Sequence, residues 1–130
     1  MRTRRSTGEK PLYWVGSSKK DFLGFPGDVV DNIGYALGAV QYGGHPPSAK
    51  PWKGLGSGVH EIVEIVESDE SGAFRAVYTV RFRKAVYVLH AFQKKSPSGV
   101  RTARTDIDLI EQRLRLAKKD YEERYGEETD

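Results

Sequence analysis

Cysteine is absent from the 130-residue chain, so disulfides, thiolate metal sites and cysteine nucleophiles are excluded. Long apolar runs are missing too, and nothing approaches the ~18 consecutive apolar residues of a membrane span. The basic opening Met1-Arg-Thr-Arg-Arg5 leads into Ser-Thr-Gly-Glu-Lys10, not into the apolar stretch of a signal peptide. A cytoplasmic protein with no membrane partner is the expectation. Acidic residues vanish over a long central stretch. Between Ser71 and Thr105 stand eight basic residues (Arg75, Arg81, Arg83, Lys84, Lys94, Lys95, Arg101 and Arg104) and not one acid. Glu61–Glu70 holds five acids and no base, which predicts two faces of opposite sign. A one-sided basic block suggests an anionic partner, most often nucleic acid; the alternative is a solvated surface balanced in three dimensions.

What is present is a globular composition, 38% hydrophobic and 30% charged with a net charge of +3, in a chain long enough for one domain. Residues 1–9 are polar and aperiodic and are expected to form a disordered arm, residues 10–125 a single domain, and 126–130 an acidic tail. Leu12–Val15 is short, apolar and aromatic and predicts a strand. Ser18 with Asp21 has the spacing of a capping box, and Pro26 suits the start of a second helix. Val29, Val30, Ile33, Leu37 and Val40 give that helix one apolar stripe, and Gly43-Gly44 ends it. Composition makes His45–Pro51 a loop. Glu61–Glu67 has an odd period of three, but its β-branched density favours a strand. Phe74–Phe82 and Lys84–Phe92 follow as a hairpin with Arg81, Arg83 and Lys84 at an exposed tip. Thr105 opens the last helix, on which Ile107, Ile110, Leu114, Ala117 and Tyr121 recur at helical spacing, with Gly126 at its C-cap. The result is an α+β fold: a small antiparallel sheet with an N-terminal helical hairpin and a C-terminal helix.

Several chemistries find no support. Gly54-Leu-Gly-Ser-Gly58 lacks the Lys-Ser/Thr of a phosphate loop and precedes a strand. His45, His60 and His90 have no metal-ligand spacing, so neither a metal nor a cofactor is expected. Arg75 lies among half-buried β residues, where a guanidinium must find an anion. Two readings stand: a structural pair with Glu61 or Glu64, or a bidentate phosphate clamp. Strict alternation puts His90 on the face of Val88 and Phe92, opposite Tyr87, Leu89 and Ala91, where it is as readily structural as catalytic. Tyr78 is read as core or as a platform for a base.

Lys50-Pro-Trp-Lys-Gly-Leu-Gly-Ser-Gly-Val-His-Glu61, Phe74-Arg-Ala-Val-Tyr78 and Val88-Leu-His-Ala-Phe-Gln-Lys-Lys-Ser96, with a following helix, resemble the RelE/HigB superfamily of bacterial toxins, its phage-derived branch above all. The resemblance extends from Lys10 to about Arg124. It implies the toxin of a type II toxin–antitoxin system, a metal-independent endoribonuclease that enters the ribosome and cuts mRNA. It also implies a cognate helix-turn-helix antitoxin as partner. By position, Arg75 matches the family's phosphate-binding arginine. Lys95, with Lys94, matches the site near the leaving group, and Glu61 the carboxylate base of some relatives; His60 and His90 are alternative proton carriers. The basic residues Arg81, Arg83, Lys84, Lys53, Arg101 and Arg104 are the expected contacts to RNA and ribosome. Other relatives carry lysines where this chain has Glu61 and Val63, which leaves the base open. A ParE-like inhibitor of DNA gyrase that cleaves nothing, or an inactive RNA-binding module, would share the scaffold.

Overall fold

The computed structural model describes residues 8–52, 62–94 and 104–126. Along the chain these form β1 (Leu12–Trp14), α1 (Ser18–Leu23), α2 (Gly27–Gln41), β2 (Ala49–Pro51), β3 (Ile62–Asp69), β4 (Gly72–Thr79), β5 (Val86–Lys94) and α3 (Arg104–Tyr125). The strands make one sheet in the order β1-β5-β4-β3-β2. Its centre is the antiparallel β3-β4-β5 meander; β2 adds antiparallel to β3, and β1 runs parallel to β5. The fold is the expected α+β architecture, with the expected strand Leu12–Trp14 at one edge and one further strand, β2, at the other. Ala49–Pro51 is a strand and not loop: three residues paired to β3 need no apolar pattern, because both Lys50 and Pro51 face solvent.

Each face of the sheet carries its own core. On one side α1 and α2 cover Val63, Ile65, Phe74, Ala76, Tyr78, Val86, Val88 and Ala91. The α2 stripe Val29, Ile33, Leu37 and Val40 is buried there, with Val30 packed at its margin. Pro26, extended at ψ 148°, is the N-cap of α2, where its missing N–H costs nothing. On the other side α3 lays Ile110, Ala117 and Tyr121 over Ile62, Val77, Tyr87 and Leu89. The opening of β3 is buried from Ile62 through Ile65. A strand covered on both faces has no reason to alternate, which explains its odd period.

Two local details depart from the sequence reading. Helix α1 begins at Ser18, so that Ser17 and not Ser18 precedes it. Ser17 donates to the Asp21 carboxylate at 2.8 Å, whereas Ser18 is buried and donates to the Val88 carbonyl at 3.3 Å. The second is a β-bulge in β5: Val77 pairs with His90 and Tyr78 with Val88, leaving Leu89 as the extra residue. The bulge resets the phase of the strand. Val88 packs on the α2 side, Leu89 on the α3 side, and His90 reaches α3 as well. Strict alternation therefore misplaces His90: it shares a face with Phe92, Leu89 and Tyr87 but not with Val88.

The carbonyl of Leu89 is claimed by Arg113, whose Nη1 donates to it at 3.1 Å while Nη2 donates to Ser17 Oγ at 3.0 Å. Burial lowers the pKa of this guanidinium, and Asp21 works the other way. Arg113 thus ties α3 to the bulge and to the β1–α1 turn.

Candidate functional site

Glu64, His90 and Arg75, buried or nearly so, lie on the α3 side of the sheet. One cross-strand row reads Lys50, Glu64, Val77 and His90, from β2 to β5. The next row holds Val66, Arg75 and Phe92. Lys94 follows at the end of β5, opposite Ala73 and on the same strand face as Phe92.

Arg75 Nη1 donates to Glu64 Oε1 at 2.5 Å, with the two side chains 13% and 8% exposed. Of the two carboxylates open to Arg75 from sequence, Glu64 is its partner. The diagonal geometry accounts for this: Arg75 stands opposite Val66, one same-face step from Glu64. The acidic strand β3 and the start of the basic stretch on β4 are thus neighbours, and Glu64 and Arg75 pair between them. Arg75 Nε is buried, with no hydrogen-bond partner among the described residues.

His90 is buried beside this pair. Its Nε2 donates to Asp106 Oδ1 at 2.8 Å, in the first turn of α3, and its ring stacks on Phe92 with centroids 4.7 Å apart. The bond fastens the N-terminus of α3 to the sheet. His90 Nδ1 is buried, with no hydrogen-bond partner among the described residues. Arg104, at the same helix end, is largely exposed and pairs with Asp108 at 3.1 Å. Tyr78 is core: it lies on the α2 side at 1% exposure, and burial pushes its phenol up to about 12. No base can stack on it.

The hairpin tip is separate. Arg81, Arg83 and Lys84 are exposed, but they sit beyond Thr79, four residues along β4 from Arg75, which is roughly 13 Å of strand. The tip is also less free than a solvated turn. Phe82 is buried and stacks on Tyr121 with centroids 4.7 Å apart, and the Lys84 amide donates to Tyr121 Oη at 3.1 Å. Nearby, Tyr87 donates to Asp120 at 2.6 Å and Arg124 donates to the same oxygen at 2.7 Å. Burial and the Asp120 bond together raise the Tyr87 pKa.

The structure therefore brings Arg75, His90 and Lys94 onto one face and sets Arg81, Arg83 and Lys84 at the opposite end of the hairpin. Lys53, His60, Glu61, Lys95 and Arg101 lie outside the described residues. Glu64, weighed only as a structural partner, and Lys50 and Asp106, not singled out, join the site through strand register and helix docking. Nothing in the spacing from His90 to Asp106 signals their contact. Among the described residues no three or more His, Cys, Asp or Glu side chains gather as ligands for one metal ion, and no helix is long and apolar enough to cross a membrane.

The fold and this face define an α+β sheet domain with a buried ionic site beneath its C-terminal helix. Residues 20–115 match the family described as Phage derived protein Gp49-like (DUF891). The match spans more than half of the chain, and the chain belongs to this family. No curated protein matches it.

Proposed function

We propose that this chain is the toxin of a type II toxin–antitoxin system, acting as a ribosome-dependent mRNA endonuclease. Two things support the reading. The Gp49-like family is one of RelE/HigB-like toxins. The observation that carries the proposal is the presence of Arg75 and Lys94 on one sheet face, with an unpartnered buried Nε on the arginine. Such a set suits a phosphodiester that gains negative charge in its transition state.

In the reaction the ribose 2′-oxygen attacks the adjacent phosphorus, and the bond from phosphorus to the 5′-oxygen breaks. The products are a 2′,3′-cyclic phosphate and a 5′-hydroxyl. Arg75 binds the non-bridging oxygens, where charge develops. Lys94, with Lys95, delivers the proton to the leaving 5′-oxygen. Glu61, His60 and His90 are the candidates to accept the 2′-proton. For His90 the bond to Asp106 and the stack on Phe92 favour a positioning part. Arg81, Arg83, Lys84, Lys53, Arg101 and Arg104 contact ribosomal RNA, and a helix-turn-helix antitoxin neutralises the toxin.

The test is single-turnover cleavage of a messenger on ribosomes. Removing one preorganised donor costs roughly 10²–10³ in rate, so Arg75→Ala should slow cutting by about that factor, with ribosome association much less affected. Glu61→Gln, His60→Gln and His90→Gln, compared in the same assay, identify the base. Folded Arg75→Ala cutting at the wild-type rate refutes the assignment. A wild-type protein that stalls replication and cleaves nothing would point instead to a ParE-like gyrase inhibitor.

A further inference from the structure

Arg75, proposed above to bind phosphate, already holds an anion on its guanidinium. Glu64 accepts from Nη1 at 2.5 Å, and both side chains are nearly buried. A phosphate brought to Arg75 would stand beside a carboxylate, and like charges placed together cost several kcal/mol. Arg75 retains a second donor, the buried and unpartnered Nε, but this does not remove the repulsion. If Glu64 leaves, its own charge needs a new partner, since a buried carboxylate stripped of its cation is strongly unfavourable.

The register supplies one. Lys50 stands directly across β2 from Glu64, on the same face, and directly opposed residues have Cβ atoms about 4.5–5.5 Å apart. Lys50 is exposed, and it makes no ion pair with any described residue. The carboxylate therefore lies between two cations. One is engaged on β4, and the other, on β2, has no ion-pair partner among the described residues. A turn of the Glu64 side chain is the movement that an exchange between them requires.

We propose that Glu64 is a resident counter-ion that a substrate phosphate displaces from Arg75, and that Lys50 receives the displaced carboxylate. The inference rests on the reading of Arg75 as a phosphate ligand, but not on cleavage. The free site is closed to anions by its own carboxylate, and only a ligand offering enough additional contacts opens it. Weak monovalent anions are turned away, and a polyanion such as RNA is favoured. Lys50 acts through Glu64 and is a positioning residue.

The experiment is a double-mutant cycle, reading affinity for an uncleavable 2′-O-methyl RNA oligonucleotide at low salt. Glu64→Gln keeps an oxygen facing Arg75 and removes the charge. It should bind the oligonucleotide about tenfold tighter than wild type, a change of about 1.4 kcal/mol. Lys50→Met should weaken binding severalfold in the wild-type background and have no effect when Gln occupies position 64. A Lys50 that simply touched RNA would weaken binding equally in both backgrounds, and that result overturns the proposal. So does a Glu64→Gln protein that binds no tighter than wild type. Should Glu64→Gln fail to fold, the wild-type protein with ¹³C-labelled glutamate carboxylates gives the answer. The Glu64 signal must move as the oligonucleotide saturates, and a stationary signal refutes the exchange. A protein that passes these tests and cuts no mRNA on ribosomes would contradict the nuclease reading and leave the exchange intact.

Discussion

The two faces of this sheet solve different problems with the same five strands. Beneath α2 the core is apolar throughout, from Val63 and Ile65 to Val88 and Ala91. Beneath α3 the apolar cluster ends at one side in Glu64, Arg75 and His90, whose charged or polar atoms are taken out of water. Apolar burial stabilises at roughly 25 cal/mol per Å². A buried ion pair contributes little by itself, because desolvation offsets the Coulombic gain, yet breaking it is costly. Both faces gain stability from apolar burial, and the α3 face in addition buries charged and polar groups that contribute little to it.

The comparison can be broken deliberately. Removing one partner of the pair has the largest expected effect. Arg75→Met removes the cation that Glu64 holds in the folded protein and should cost up to about 3–5 kcal/mol in urea unfolding, less to the extent that Lys50 takes over the carboxylate. Adding Glu64→Leu to that variant should recover most of the loss, since two well-packed apolar side chains can replace a buried pair at little cost. A double variant as unstable as the single one would mean that the pair is a true source of stability and that the two faces do not differ as described. On the other face, Leu37→Ala cuts a cavity beneath α2 and should cost about 2–5 kcal/mol. No second substitution in the polar row should rescue it.

A third substitution probes the joint between the faces. Gly16 has φ +58°, and a Cβ there would lie 2.8 Å from Arg113 Nε. A side chain in that left-handed conformation costs of order 1–3 kcal/mol, and the clash adds the loss of the Arg113 bonds to Leu89 and Ser17. Gly16→Ala should therefore lower the melting temperature, and Gly8→Ala, where a Cβ meets nothing within 4 Å, should lower it less. The smallest effect is one of pH. Burial raises the Asp120 pKa, but the hydrogen bonds from Tyr87 and Arg124 outweigh it, and the net shift is downward from 3.8. A carboxyl with a depressed folded-state pKa contributes stability above its unfolded value, and that stability is lost as pH falls through the folded one. The carboxylate is 39% exposed, so the contribution is under about 1 kcal/mol. Asp120→Asn should be slightly less stable than wild type at pH 7 and equal to it near pH 2 in thermal unfolding.

The helices and the meander were legible because each rests on local periodicity. The α2 stripe, the α3 stripe and the Asp120–Arg124 pair follow from spacings of three and four, and Gly126 at φ +82° ends α3 as a residue with no Cβ can. The turn between β3 and β4 is local as well, since Ser68-Asp-Glu-Ser-Gly72 has the composition of one. Ser71 donates twice to Asp69, at 2.7 Å from its amide and 2.6 Å from its hydroxyl, and these bonds lower the Asp69 pKa. Strand β2 was not legible, since three residues carry no period. Nor was the side to which His90 turns, because a one-residue bulge inverts every alternation beyond it.

Composition and order determined, by themselves, that this chain folds as helices on a small sheet and that a basic stretch runs through its middle. They also offered Arg75 two carboxylates, Glu61 and Glu64, as structural partners beside the reading of a phosphate clamp. Only the tertiary structure decided between them, because the choice depends on which residues of β3 and β4 stand in register. It likewise set Lys50 across from Glu64 and brought Asp106 to His90. A strand pairing and a helix docking bring together residues that no spacing along the chain relates, and burial then makes each of those meetings costly to undo.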